Sequence, residues 1–248
     1  KMGDDSYLNS IYQLMKSSGV SDSYLQLKIK DFVGRGEEKT EDNLIDFLIK
    51  AIQGDFKTKK VSFERLPPYV NIFLGDSYSG QTTLLKKLIH KGKNGQIVKL
   101  RDSKKDFSGK VSGINTSSAE GQADLVAKVR NIVTKGEHAF VDLNLKKIDS
   151  QELISIVEFF KSGFENCRVS LTLNSQNSES INQRKLKKYK NLIDYVNYTF
   201  TDVCLDWGAI FNNIYHEDIE VGFFSSGVSF ENGVLEAKSE NYLNNLLG

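Results

Sequence analysis

An apolar run, Tyr69-Val70-Asn71-Ile72-Phe73-Leu74, passes directly into Gly75-Asp76-Ser77-Tyr78-Ser79-Gly80-Gln81-Thr82-Thr83. Few architectures accommodate that order. Five of the six residues before Gly75 are apolar or aromatic, as in a strand buried on both faces. After the second glycine, Leu84, Leu85, Leu88 and Ile89 recur at helical spacing. Strand, glycine loop and helix, with the spacing G-x-x-x-x-G, is the layout of a phosphate-binding loop. Its glycines let backbone N–H groups converge on phosphate oxygens, and the following helix adds its positive N-terminal end. A strand-to-helix turn of this kind can also serve packing alone.

One letter departs from the motif. Gln81 stands where the motif carries lysine. A lysine would place a full charge at the β- and γ-phosphates, where charge develops during phosphoryl transfer. A glutamine can donate a hydrogen bond there but neutralises nothing. The loop therefore reads as a nucleotide-binding frame whose catalytic part is weakened or lost.

Two unequal parts follow from the rest of the pattern. From Ser6 to about Phe56 the chain reads as three short amphipathic helices, with stripes at Tyr7, Ile11, Leu14 and Met15, at Tyr24, Leu25, Ile29 and Phe32, and at Leu44, Phe47, Leu48 and Ile52. Glycines at 19, 34, 36 and 54 punctuate them, and Ser21 or Ser23 and Glu41 or Asp42 suit helix starts. Pro67 and Pro68 mark the junction, giving a helical bundle over residues 1–62 and a second domain over 63–248. In the second domain, expected strands at 70–74, 97–100, 139–143, 168–173, 196–201 and 219–224 alternate with helices at 81–90, 120–133, 150–159, 182–193, 206–215 and 241–247. Such alternation specifies an α/β fold, a mainly parallel sheet flanked by helices.

Composition excludes several classes. Of 248 residues, 39% are hydrophobic and 26% charged, enough for a real core in a globular protein. A formal charge of +1 gives no chain-wide field for nucleic acid or membrane. Cys167 and Cys204 are too few for a disulfide framework or a zinc site, and no apolar run of about eighteen residues is present. Cytoplasm is the expected compartment. His90, His138 and His216 are scattered, without ligand spacing. The run Arg184-Lys185-Leu186-Lys187-Lys188-Tyr189-Lys190 reads first as a solvated helix face, although it could touch acidic lipid or RNA phosphates. Trp207 beside Gly208 reads as packing.

With the bundle and the loop in hand, the chain resembles the signal recognition particle GTPase family, and within it the flagellar-placement branch, FlhF. The resemblance covers nearly the whole length. Thr199-Phe200-Thr201-Asp202 is similar to the family's Thr-Lys-Leu-Asp, and Gly208 follows it. The closing segments Val221-Gly222-Phe223-Phe224-Ser225-Ser226-Gly227 and Val234 to Leu243 resemble the family's final strand, glycine-rich loop and helix. The resemblance implies that Gly75, Asp76, Ser77, Tyr78, Ser79, Gly80, Gln81, Thr82 and Thr83 would hold a nucleotide, with Asp202 accepting from guanine. It also implies Thr82 and Asp142 at magnesium, if a magnesium nucleotide binds. No resident cofactor is expected, though GTP or GDP with magnesium is accommodated by the frame.

The departures cluster at the γ-phosphate. Where the family has Asp-Thr-Ala-Gly-Arg, this chain has Asp142-Leu143-Asn144-Leu145-Lys146, so Leu145 replaces the glycine that approaches the phosphate. Phe200 replaces the base-motif lysine, and Asp102-Ser103-Lys104-Lys105 is a faint counterpart of Asp-Thr-[Phe/Tyr]-Arg. A non-catalytic protein-binding or scaffold module with weak or lost guanine-nucleotide binding is therefore expected, with protein partners in flagellar or polar assembly and a homo- or heterodimer through the nucleotide face as the implied contacts. A position at the cell pole or inner membrane goes with that reading. The alternative is a slow magnesium-dependent GTPase in which Gln81 and another residue, such as Lys86 or Lys105, recover part of the lost function.

Overall fold

The computed structural model describes residues 6–35, 40–61, 69–91, 94–100, 109–111, 114–227 and 233–247, with backbone alone at 6–11 and 109–111. Pro67 and Pro68, the segment Asp102–Lys105, Gly36, and the side chains of Tyr7 and Ile11 lie outside that description.

Three helices open the chain: α1 (Ser6–Ser17), α2 (Asp22–Gly34) and α3 (Glu41–Asp55). They bury Met15, then Tyr24, Leu25 and Phe32, then Leu44, Leu48 and Ile52, one stripe each. The cap of α3 is Thr40, whose hydroxyl accepts from the Asn43 N–H, one residue before the acidic pair expected at that start. Glu41 and Asp42 fill the first turn instead, where negative charge suits the helix dipole.

The remainder alternates strand and helix: β1 (Val70–Gly75), α4 (Gln81–His90), β2 (Gly95–Leu100), β3 (Gly109–Val111), β4 (Ile114–Ala119), α5 (Gln122–Thr134), β5 (His138–Asn144), α6 (Ser150–Gly163), β6 (Cys167–Asn174), α7 (Glu179–Tyr189), β7 (Tyr195–Thr199), α8 (Trp207–Glu217), β8 (Val221–Ser225), β9 (Val234–Glu236) and α9 (Ser239–Leu247). The strands form one sheet in the order β3-β4-β2-β5-β1-β6-β7-β8-β9. The pairs β3–β4 and β8–β9 are antiparallel, and every other neighbouring pair is parallel. Strand β1 lies at the centre and is buried along its whole length. Its side chains alternate between faces: Val70, Ile72 and Leu74 join the larger core with the opening bundle and α5 to α9, while Phe73 joins Leu84, Leu85 and Leu88 of α4.

Four local differences from the sequence expectation have physical causes. Strand β7 ends at Thr199 rather than 201 because Phe200 takes a left-handed backbone, φ 58°, and a 3-10 turn, Thr201–Val203, follows. Helix α7 begins at Glu179 and stops at Tyr189, since Leu192 and Ile193 turn into β7 and pack on the core. Strand β4, Ile-Asn-Thr-Ser-Ser-Ala, is too polar to read as a strand, and β9 lies within what reads as a closing loop. Both belong to the flanks of the sheet, where only pairing with a neighbour marks them as strands.

The opening bundle docks on α8 and α9. The Tyr24 ring meets Phe211 and Tyr215 edge-on at centroid distances of 4.8 and 4.9 Å, and Phe56 stacks on Tyr242 at 4.2 Å. Gly208, in the first turn of α8, donates its N–H to Ser18 O at 3.0 Å. A methyl group there would fall on the Gly19–Val20 backbone, so the contact requires glycine. Trp207 packs edge-on against Phe224 and Tyr242, consistent with a packing role.

Candidate functional site

The loop between β1 and α4 lies at the C-terminal end of the central strand, where open α/β sheets place their ligands. A cavity of about 250 Å³ opens there, lined by Gly75 to Thr83 together with Asp142 and Asn144 of β5. Every loop residue singled out from sequence is thus brought to one place. Helix α4 aims its first turn at the cavity, and that turn leaves N–H groups without intrahelical acceptors. Gly80 has φ 76°, and a Cβ there would press on Thr199 and the Phe200 ring at 3.0–3.1 Å, so glycine is required both by backbone and by space. Tyr78 also takes a left-handed conformation, φ 67°, with its ring almost wholly in solvent.

Gln81 does not face the cavity with its amide protons. Its side chain is buried and turns under the loop, where Nε2 donates to Phe73 O at 2.8 Å, to Asp142 Oδ1 at 2.5 Å and toward Leu143 O at 3.4 Å. The sequence expectation of a hydrogen bond to phosphate from this residue is thereby corrected: three acceptors on β1 and β5 already claim the NH₂ group. Those three acceptors also settle which end of the amide is nitrogen. The other end, Oε1, is buried above Gly75 without a hydrogen-bond partner, as is Ser79 Oγ beside it.

Further contacts hold the loop from every side. Asn144 Nδ2 donates to Ser77 Oγ at 3.0 Å, Thr199 Oγ1 donates to Ser79 O at 2.5 Å, and Lys185 of α7 pairs with Asp76 at 2.7 Å. Part of the basic run is therefore structural; Lys187 and Lys190 approach the nearly buried Glu217 carboxylate at 3.8 and 3.3 Å. Leu145 sits beyond the cavity wall and donates its backbone N–H to Gly75 O at 2.9 Å. The amide at the switch position is spent within the fold.

Thr82 and Asp142 do meet, but on different terms from those of a metal site. Thr82 Oγ1 donates to Asp142 Oδ2 at 2.6 Å. The ammonium of Lys99, in register with Asp142 across β2 and β5, stands 3.3 Å from the same oxygen and 3.2 Å from Thr82 Oγ1. With Gln81 on Oδ1, both carboxylate oxygens and the threonine hydroxyl are engaged. These residues do not fit a divalent cation, and among the described residues no cluster of three or more acidic, histidine or cysteine side chains could hold one.

Asp202 lies in the turn after β7, outside the cavity wall but next to the loop through Phe200. Lys86 does not line the cavity, and Lys105 is outside the described residues. Lys87, one residue on, is buried and donates to Ser226 O at 2.7 Å and Gly227 O at 2.6 Å, tying α4 to the closing loop. Burial holds its pKa below the usual lysine value, partly offset by the Asp202 charge. Lys99 and Asn144 were not legible as site residues. The only sequence signal for Lys99 was a charge within the short apolar run Ile97-Val98-Lys99-Leu100.

Fold and site together define a P-loop NTPase-like α/β protein with an N-terminal helical bundle. No family model and no curated protein matches the sequence. Among solved structures, the chain superposes on FlhF complexed with GMPPNP and Mg²⁺ with a TM-score of 0.78 at 14% identity, over 98% of this chain and 100% of that one. Chloroplast FtsY from Physcomitrella patens gives 0.79 at 16% identity, over 99% and 90%. Cell division protein FtsY from Thermotoga maritima gives 0.72 at 14% identity, over 100% and 90%. The chain therefore has the fold of FlhF and FtsY, the fold that its sequence resemblance implied.

Proposed function

We propose that this protein is a degenerate, FlhF-like relative of the signal recognition particle GTPases that works as a non-catalytic protein-binding or scaffold module. The supporting observation is the Gln81 side chain, whose NH₂ group is committed to Phe73 O and Asp142 beneath the loop. Phosphoryl transfer on such a frame depends almost wholly on positioned charge, and removing one stabilising donor elsewhere costs about 10²–10³-fold in rate. Here the lysine charge is replaced and the Leu145 amide is engaged, so two such contributions are gone.

A partner-binding role is supported at the same end of the sheet. Tyr78 is 93% exposed and Leu205 fully exposed, with Phe200 and Val203 also open to solvent. Solvent-facing apolar groups around a nucleotide-type cavity suit a protein partner. Flagellar or polar assembly is the setting this reading assigns, with dimerisation through the same face and a place in the cytoplasm or at the inner face of the cell pole. No described helix is long and apolar enough to cross a membrane.

The test is single-turnover GTP hydrolysis by purified protein with magnesium. Phosphate release is expected at the buffer rate. Magnesium-dependent release that Thr82→Ala abolishes would refute the proposal and establish the alternative, a slow GTPase.

A further inference from the structure

The Thr82–Asp142 pair carries the observation that goes furthest. In register across two parallel strands, Lys99 and Asp142 point to the same face of the sheet, so the contact is built by strand pairing rather than by a surface side chain settling on a neighbour. The Asp142 side chain is only 10% exposed, and Lys99, at 30%, retains access to solvent beside the cavity-lining Thr82. The ammonium has three donors. Two are directed at Thr82 Oγ1 and Asp142 Oδ2, which leaves one for a ligand. A dication at that carboxylate would have to displace the Lys99 ammonium and break the Thr82 hydrogen bond.

Other observations point to what the cavity would take. Ser79 lines the cavity and is buried, and its Oγ has no hydrogen-bond partner. The first turn of α4, a helix of 10 residues, faces the same space. Hydroxyl, helix N–H groups and one ammonium form a donor set for a phosphate group. Fixed charge is close to balanced, Lys99 against Asp142 and Lys185 against Asp76, so a highly charged polyphosphate gains little beyond its first group.

We propose that Lys99 supplies from within the chain the positive charge that a divalent cation would otherwise bring, and that the cavity binds a phosphate group without metal. This rests on the proposed function but is separable from it: hydrolysis would refute that reading, whereas a metal requirement refutes this one. The phosphate could arrive as the free ion or on a guanine nucleotide, and the experiment separates the two.

Purified protein is titrated calorimetrically with inorganic phosphate and with GDP, each in excess EDTA and in excess magnesium. Affinity is expected to agree within twofold between the two conditions. Binding of GDP but not of inorganic phosphate assigns the nucleotide as source, and equal affinity assigns the ion. Lys99→Met should weaken binding in EDTA at least tenfold, and Lys99→Arg should retain it within threefold. Lys99→Met should also acquire Mn²⁺ binding, read by electron paramagnetic resonance, that the parent lacks. Binding that requires magnesium, equal affinity in Lys99→Met and parent, or no heat from either probe at millimolar concentration overturns the proposal. Should Lys99→Met fail to fold, the comparison of EDTA with magnesium in the parent protein decides alone.

Discussion

Restoring the loop lysine, Gln81→Lys, separates affinity from turnover. Lysine reaches one bond further than glutamine, so its ammonium overshoots the Phe73 carbonyl that Gln81 meets at 2.8 Å. Asp142 would then face two cations, the new ammonium and Lys99, which already lies 3.3 Å away. Two like charges about 4 Å apart repel by about 4 kcal/mol at an effective dielectric constant of about 20. One ammonium is therefore driven toward the cavity, where a phosphate can meet it. A charge-assisted hydrogen bond contributes about 1.5–3 kcal/mol, or about ten- to hundredfold in affinity. Without ligand, loss of the buried amide bonds costs about 1 kcal/mol each, and the melting temperature should fall by about 2–4 °C for each kcal/mol. Calorimetry should show GDP and GTP binding about ten- to hundredfold more tightly, with hydrolysis still at the buffer rate because the Leu145 amide remains bonded to Gly75 O. If Asp202 meets the base, GTP gains more than ATP, and Asp202→Asn removes the difference. Unchanged affinity for both nucleotides would show that the cavity does not admit them, and hydrolysis rising in step with affinity would refute the separation.

Gly208→Ala should destabilise by about 3 kcal/mol, since its methyl group meets the backbone of Gly19 and Val20, whereas Gly34→Ala, with nothing within 4 Å, should be neutral or slightly stabilising. Equal melting temperatures for the two would refute the docking geometry. Alkaline pH tests the aromatic core: burial raises the pKa of Tyr24, Tyr195, Tyr198 and Tyr242 above that of a free phenol. Unfolded, each ionises near 10, so their contribution is intact below about pH 10 and is lost as pH rises beyond it. Ultraviolet titration should leave at least four of the ten tyrosines un-ionised until the circular dichroism signal collapses. Ionisation of all ten in a still-folded protein would contradict that assignment.

Contacts from three neighbouring elements hold the loop beside its cavity. Asn144, Thr199 and Lys185 reach it from β5, β7 and α7. Each contact is individually modest, the Lys185–Asp76 pair being partly exposed and worth about 1 kcal/mol or less. Together they fix the loop around Gln81 and explain how Tyr78 is held in a left-handed conformation that a non-glycine residue rarely adopts.

The sequence by itself determined the bundle, the parallel sheet and the position of the loop, because each rests on local periodicity. The apolar stripes ending at Phe32 and Ile52, the buried run before Gly75 and the helical spacing after Gly80 are all readable within about fifteen residues. Replacement of the loop lysine was equally plain, since Gln81 is a single letter in a spaced motif. Only the tertiary structure decided what Gln81 does. Its partners Phe73, Leu143 and Asp142 come from two strands, and nothing in the spacing says that their acceptors converge beneath the loop. Strands β4 and β9 were hidden for a related reason: a strand at the flank of a sheet that is polar, as β4, or only three residues long, as β9, is specified by its neighbour and not by its own pattern. Lys99 is the clearest case. In the chain it is one charge within a short apolar run, forty-three residues from Asp142, and only the register of β2 on β5 places its ammonium against that carboxylate.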